Sequence, residues 1–229
     1  MAKHGKRYND MVKEFDRQQE FPLEEAIDLV KQFATAKFDE TIELHFRLGI
    51  DPRQADQQIR TTIMLPNGLG KQVTVLVFAE GEAAAAAEAA GADIIADDAT
   101  IARIQNEGWT EFDAAIAVPQ MMPKVGRLGR VLGPRGLMPT PKAGTVVQAD
   151  DLPRAIEELK SGRIEFRNDR TGNLHIPAGK ASFEKEKLQE NLQAVIELVQ
   201  SLKPSSIKGV YMKRVVLCST MGPGIRLSL

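Results

Sequence analysis

Two apolar patterns alternate along this chain, and one kind of sheet cannot accommodate both. Residues 41–48, TIELHFRL, alternate strictly. Ile42, Leu44, Phe46 and Leu48 point one way; Thr41, Glu43, His45 and Arg47 point the other. That period belongs to a strand with one buried and one wet face. Residues 73–78, VTVLVF, instead form an apolar run, the pattern of a strand covered on both faces.

The two patterns occupy different parts of the chain. Before residue 67 there is a helical stretch in which Leu23, Ile27, Val30 and Ala34 recur at helical spacing, then the alternating strand, then a second strand at 59–65. From LPNGLGK (65–71) onward, strands alternate with helices: EAAAAAEAA closed by Gly91, DII, ATIARIQNEG, DAAIAVP. That order predicts a parallel sheet with helices on its faces. The first pattern returns near residue 160. RIEFR and LHIPAG, joined by NDRTGN, read as a hairpin. Residues 186–203 read as an amphipathic helix with Leu188, Leu192, Val195, Ile196, Val199 and Leu202 as its stripe, and KGVYMKRVVLCST as a strand. Neither end is long enough to bury a core alone. The expected organisation is an α+β split domain of residues 1–66 and 160–229, with an α/β domain of residues 67–159 inserted. The chain would cross between them twice, which permits a hinge.

Composition narrows the chemistry. A single cysteine, Cys218, precludes an internal disulfide and fits a reducing compartment. No run of about 18 apolar residues is present, and the N-terminus lacks the apolar core of a signal peptide. We therefore expect a cytoplasmic protein with no membrane span. Phosphate-loop spacings are missing, and the turn after the first strand of the α/β region, FAEGEAAAAAE, carries acids that would repel a phosphate. The three histidines and one cysteine have no ligand spacing, so neither a metal nor a cofactor is expected. No nucleophile–base pair stands out, so no enzyme is expected. His45 and His175 sit at polar strand positions, where a solvated or hydrogen-bonded surface role is the plain reading. Cys218 reads as a buried structural thiol.

Binding remains. Net charge is −1, but it is unevenly spread. Residues 67–159 sum to −5 and the rest to +4, and the 32 residues after Glu197 contain five basic residues and no acid. Such local patches decide where a polyanion can sit. Aromatic content is only 5%, so a stacking platform for single strands is not expected. A surface that reads the shape of a folded RNA through hydroxyls, amides and a few charges is one reading of the wet strand face; a plain solvated sheet face is the other.

Residues 126–146, GRLGRVLGPRGLMPTPKAGTV, resemble the signature of the large-subunit ribosomal protein L-one family, bacterial type. ATAKFDETIELHFRLGIDPRQADQ, LPNGLGK, SGRIEFRNDRTGNLHIPAGKASF and KGVYMKRVVLCSTMGPG resemble the same family in the same order. The resemblance implies an α+β domain built from both termini and an inserted Rossmann-like α/β domain. It implies primary binding to large-subunit ribosomal RNA in the mobile stalk near the tRNA exit site, with help in releasing deacylated tRNA. It further implies repression of translation through the protein's own messenger RNA leader, and a monomer off the ribosome. An RNA-binding regulator acting only off the ribosome is the alternative. Carried over position by position, the RNA contacts fall on Lys37, Phe38, Thr41, Glu43, Arg167, Asp169, His175, Thr220, Met221 and Gly222. The glycine- and proline-rich ribbon 126–146 is expected to be an irregular, mainly structural loop. Arg127, Arg130, Arg135 and Lys142 would give it a secondary electrostatic role. The chain departs from the family in its near-neutral charge and in Thr61, where a glycine is typical.

Overall fold

The structure is a computed structural model and describes residues 5–228. In chain order the elements are α1 (Lys6–Lys13), β1 (Glu20–Phe21), α2 (Leu23–Phe33), β2 (Thr41–Leu48), β3 (Arg60–Met64), β4 (Val75–Phe78), α3 (Glu82–Ala89), β5 (Ile94–Ile95), α4 (Asp98–Glu107) and β6 (Ala114–Ala117). Then come α5 (Met122–Gly126), α6 (Gly129–Leu132), α7 (Leu152–Lys160), β7 (Arg163–Arg167), β8 (Asn173–Lys180), α8 (Lys185–Ser201), β9 (Met212–Ser219) and β10 (Ile225–Leu227). The architecture is mixed α and β. The chain divides into two compact units, Met1–Gly70 with Glu165–Leu229, and Lys71–Ile164.

The first unit is built on a five-stranded sheet in the order β1-β10-β9-β2-β8. β2 lies at the heart of it, antiparallel to both β9 and β8. Its alternation is realised in space: Ile42, Leu44, Phe46 and Leu48 are buried, while Thr41, Glu43 and His45 are half-buried and Arg47 is exposed. Leu174, Ile176, Val215, Leu217 and Ile225 of the neighbouring strands are buried as well. Helix α2 packs on β9 and β10, α8 packs on β8, and the two helices touch each other. Their buried stripes are Ala26, Ile27, Val30 and Phe33, and Leu188, Leu192, Val195, Ile196 and Val199. A buried leucine or isoleucine of this kind contributes about 1.5–3 kcal/mol relative to exposure. β3 and β7 form a separate two-stranded sheet, across which Arg60 and Glu165 are ion-paired.

The turn LPNGLGK is anchored on α8 by Asn191, a fully buried polar residue with its groups satisfied. Its Oδ1 accepts the Asn67 N–H at 3.0 Å, and its Nδ2 donates to Gly68 O at 3.0 Å and Ala178 O at 2.8 Å. Gly70 takes φ +68° beneath the Phe183 ring, where a Cβ would lie 2.4 Å from a ring carbon. Glycine is required there by backbone conformation and by space.

The second unit has a three-stranded parallel sheet in the order β5-β4-β6. The apolar run of β4 is divided between its two sides. Leu76 and Phe78 join one buried cluster with Ile104, Val125, Leu128 and Leu132. Val75 and Val77 join another with Ala87, Leu152, Ala155 and Ile156.

The ribbon differs from the irregular loop expected of it. It contains α6 and the end of α5, and a 3-10 turn at Pro141–Ala143. Leu128, Leu132 and Ala143 are buried. Those apolar positions, spaced as on short helical turns, have the core to pack against, and this outweighs the local glycine and proline content.

Candidate functional site

The loop before β2 and the loop after β9 meet at one carboxylate. Glu40 is 1% exposed. Its Oε1 accepts the Ala36 N–H at 2.9 Å, and its Oε2 accepts the Met221 N–H at 2.9 Å. Burial raises its pKa, but the two amide donors, the Ser219 hydroxyl and the charge of Arg7 outweigh burial and hold it below the ordinary carboxylate value. Glu40 thus fixes residues 36–41 against residues 219–222. Nothing in the alternating pattern singled it out, because it lies one position before the strand. An acid directly ahead of a strand, with glycine-bearing loops elsewhere to be tied, is the only signal that sequence offered.

A second clasp joins the same loops. The Thr41 N–H donates to Thr220 Oγ1 at 2.9 Å, and the Thr220 hydroxyl donates back to Thr41 O at 3.3 Å. Thr220 therefore spends its proton within the protein and retains one lone pair for an outside donor. The Thr41 hydroxyl accepts from Lys180 Nζ at 2.9 Å and keeps its own proton to donate. Lys37 is exposed. Phe38 and Met221 are 55% and 49% exposed, although both are large apolar side chains. Gly222 has an internal reason to be glycine: a Cβ there would lie 2.5 Å from Ser219 Oγ. So the two loops bring Lys37, Phe38, Thr41, Thr220, Met221 and Gly222 together.

Glu43, His45 and His175 stand further along the wet face. His45 and His175 are directly opposed in the β2–β8 ladder, Nδ1 to Nδ1 at 2.8 Å. His45 Nε2 lies 3.0 Å from Cys218 Sγ. Burial, with a smaller push from Glu43, raises the Cys218 thiol to about 11. The thiol thus keeps its proton. Along the chain Cys218, His45, His175 one group of each pair donates and the other accepts, in the direction the two ring tautomers set. His175 Nε2 faces Asp169 Oδ2, 3.8 Å away, and solvent. His45 itself is pushed below its ordinary pKa, by burial first and then by His175, against a smaller opposing pull from Glu43.

Asp169 is occupied by its own turn. It accepts the Thr171 and Asn173 N–H groups, each at 2.8 Å, and the Asn173 side-chain amide at 3.0 Å. Burial raises its pKa, and these donors overturn that effect and hold it well below the carboxylate range. Asp169 orders the β7–β8 turn more than it reaches outward. Its neighbour Asn168 ties that turn to the chain before β3 by accepting the Ile59 N–H at 2.7 Å. Arg167 is exposed and, with Arg60, Asp169, Arg170 and His175, lines an open groove. Arg127, Arg130, Arg135 and Lys142 belong to the other compact unit and are all exposed.

Among the described residues no group of three histidine, cysteine, aspartate or glutamate side chains could hold a metal ion. None of the helices there is long and apolar enough to cross a membrane. What the face offers is recognition chemistry: one spare hydroxyl proton, one spare lone pair, an outward-facing imidazole nitrogen and two apolar surfaces.

Comparison with known proteins agrees with the sequence resemblance. The model of the ribosomal protein L1p/L10e family matches residues 30–223. A large ribosomal subunit protein uL1 from Thermosipho melanesiensis is 58% identical over 228 residues, 100% of this chain and 97% of the relative. One from Chloroflexus aggregans is 57% identical over 229 residues, again 100% and 97%. One from Fervidobacterium nodosum is 52% identical over 229 residues with the same coverage. The chain belongs to the ribosomal protein L1p/L10e family.

Proposed function

We propose that this chain binds large-subunit ribosomal RNA through the wet face of its split unit. Family membership makes it a non-enzymatic, cytoplasmic constituent of the large ribosomal subunit. The finer reading is that Lys37, Phe38, Thr41, Glu43, Thr220, Met221 and Gly222 form the main contact, with Arg167, His175 and the turn ordered by Asp169 beside it. The observation that carries it is Glu40: one buried carboxylate ties together two loops, each of which exposes a large apolar side chain, Phe38 or Met221. A monomer in water has little reason to present both; sugars and bases of a folded RNA would cover them.

In this reading the bound RNA is the mobile stalk near the exit site, where the protein assists release of deacylated tRNA. The same surface would bind a similar structure in the protein's own messenger RNA and repress its translation. Residues 67–159, with their parallel sheet flanked by helices, would act as a Rossmann-like domain hinged on the split domain, and the exposed arginines of the ribbon would add contacts to stalk RNA or tRNA.

Co-sedimentation of the purified chain with large subunits stripped of their own copy tests the assignment. Stoichiometric binding that an excess of free stalk RNA competes away is the expected result. Absence of binding to both subunit and RNA fragment would overturn it.

A further inference from the structure

The same sheet carries a second cationic feature that the functional reading does not use. An open groove of about 420 Å³ is lined by Arg17, Gln18, Arg214, Val216, Gly224 and Arg226. Three of its six lining residues are arginines and none is an acid. Arg214 and Val216 lie on β9 and Arg226 on β10, and Val216 is paired with both Arg226 and His45. The groove therefore continues the wet face beyond the histidine pair. At its margin Arg47 stands directly opposite Arg214 in the β2–β9 ladder. Like charges opposed in that way are destabilising, so the fold gains nothing from the arrangement by itself.

Among the described residues no acid neutralises this cluster. Among the described residues, Arg17, Arg47, Arg214 and Arg226 have no ion pair and no side-chain hydrogen bond. The nearby acids are otherwise disposed. Asp16 accepts the Gln18 N–H at 2.8 Å, and Glu20, the register partner of Arg226 in the β1–β10 ladder, forms no ion pair with it. From β9 onward the chain contributes no acid at all. Guanidinium forks left free in a groove match phosphate oxygens in shape and charge.

We propose that Arg17, Arg214 and Arg226, with Arg47 beside them, form a phosphate-binding cluster that takes the sugar–phosphate backbone of the RNA held on the neighbouring loops. The inference rests on the RNA-binding reading above. Its contacts position the RNA and add affinity without reading sequence. From Thr41 to Arg47 the strand runs about 20 Å at its rise of ~3.3 Å per residue, so the footprint extends well past the Phe38 and Met221 loops.

The test is a full-length chain with Arg17→Gln, Arg214→Gln and Arg226→Gln, titrated against the stalk fragment of large-subunit RNA over a series of salt concentrations, alongside the three single changes. Each lost phosphate contact lowers the slope of log affinity on log salt by about 0.7–0.9. The triple variant is expected to lose about two units of slope and at least about tenfold in affinity. Wild-type affinity and slope in the triple variant would overturn the cluster. A second arm uses inorganic pyrophosphate and follows the amide signals of β9 and β10. Wild-type shifts that the triple variant lacks are expected; equal shifts in both proteins, or none in either, would overturn it. If the wild type fails to bind RNA at all, the RNA reading falls, and the pyrophosphate arm alone decides whether the arginines hold phosphate.

Discussion

Oε2 of Glu40 accepts the backbone N–H of Met221 at 2.9 Å, joining two loops that are 181 positions apart in sequence. Exchanging that oxygen for an amide in Glu40→Gln sets a donor against a donor or frees one of the two N–H groups. A hydrogen bond to a charged group contributes about 1.5–3 kcal/mol, and chemical denaturation of Glu40→Gln should register a loss of that order. The native carboxyl sits below its unfolded value. Its stabilising effect is therefore present above the ordinary carboxylate range and is lost as pH falls through the native pKa. The gap between the two proteins should be full at pH 7 and should shrink in acid. A constant gap from neutral to strongly acidic pH would contradict the clasp.

The histidine pair makes its own pH prediction. His45 is held below its ordinary value of about 6.5, so the native state favours the neutral ring. As pH falls through that value the unfolded chain takes up a proton that native His45 resists, and stability declines until the native pKa is passed. Thermal denaturation between pH 7.5 and pH 5 should show this decline. His45→Asn should flatten it. A midpoint equally sensitive to pH in both proteins would argue that the ring is not held neutral.

Gly222 and Ser219 form a coupled pair. A methyl group at 222 would lie 2.5 Å from Ser219 Oγ, a buried hydroxyl that also stabilises the charged form of Glu40. Gly222→Ala should cost about 1–3 kcal/mol, as overpacking does. Ser219→Ala alone should cost about 0.5–1.5 kcal/mol, since it removes a hydroxyl that supports the Glu40 carboxylate. The double variant should recover much of the loss, and a double-mutant cycle by urea denaturation measures the coupling. Strict additivity would mean that the close approach is not what excludes a side chain at 222.

Thr220 can be judged by two substitutions. Thr220→Ser keeps both hydrogen bonds to Thr41 and should bind RNA within about threefold of wild type. Thr220→Val keeps the shape but deletes the clasp, and at about 1 kcal/mol per neutral hydrogen bond it should lose several-fold in affinity. Filter binding on the two variants is sufficient. Equal affinities would assign Thr220 no part in shaping the loop.

How much of this was legible in the sequence follows from the range of the forces involved. The alternation at 41–48 marked β2 residue for residue, because a one-sided strand imprints its period directly. Helix α8 was equally plain: its stripe sets its register, and it runs Lys185–Ser201 against an expectation of 186–203. The last long strand was expected to begin at Lys208, but it starts at Met212, where pairing with Leu48 begins. Strands β1 and β10 were missed. They are two and three residues long and exist because they pair with each other and with β9. Glu40 was missed for the same reason, since its partner N–H at Met221 comes from the far end of the chain. Thr220 and Asp169 were expected as RNA contacts from the resemblance alone, and only the fold shows that their nearest partners are internal.

The most direct test of the central claim compares two multiple variants on the stalk fragment of large-subunit RNA. One carries Phe38→Ala and Met221→Asp on the loops tied by Glu40. The other carries Arg127→Gln, Arg130→Gln and Arg135→Gln on the ribbon. The account predicts at least a hundredfold loss of affinity in the first, about 2.7 kcal/mol, and a change of less than about tenfold in the second. The reverse order, with the ribbon variant losing binding and the loop variant retaining it, would contradict the account and move the RNA to the other unit.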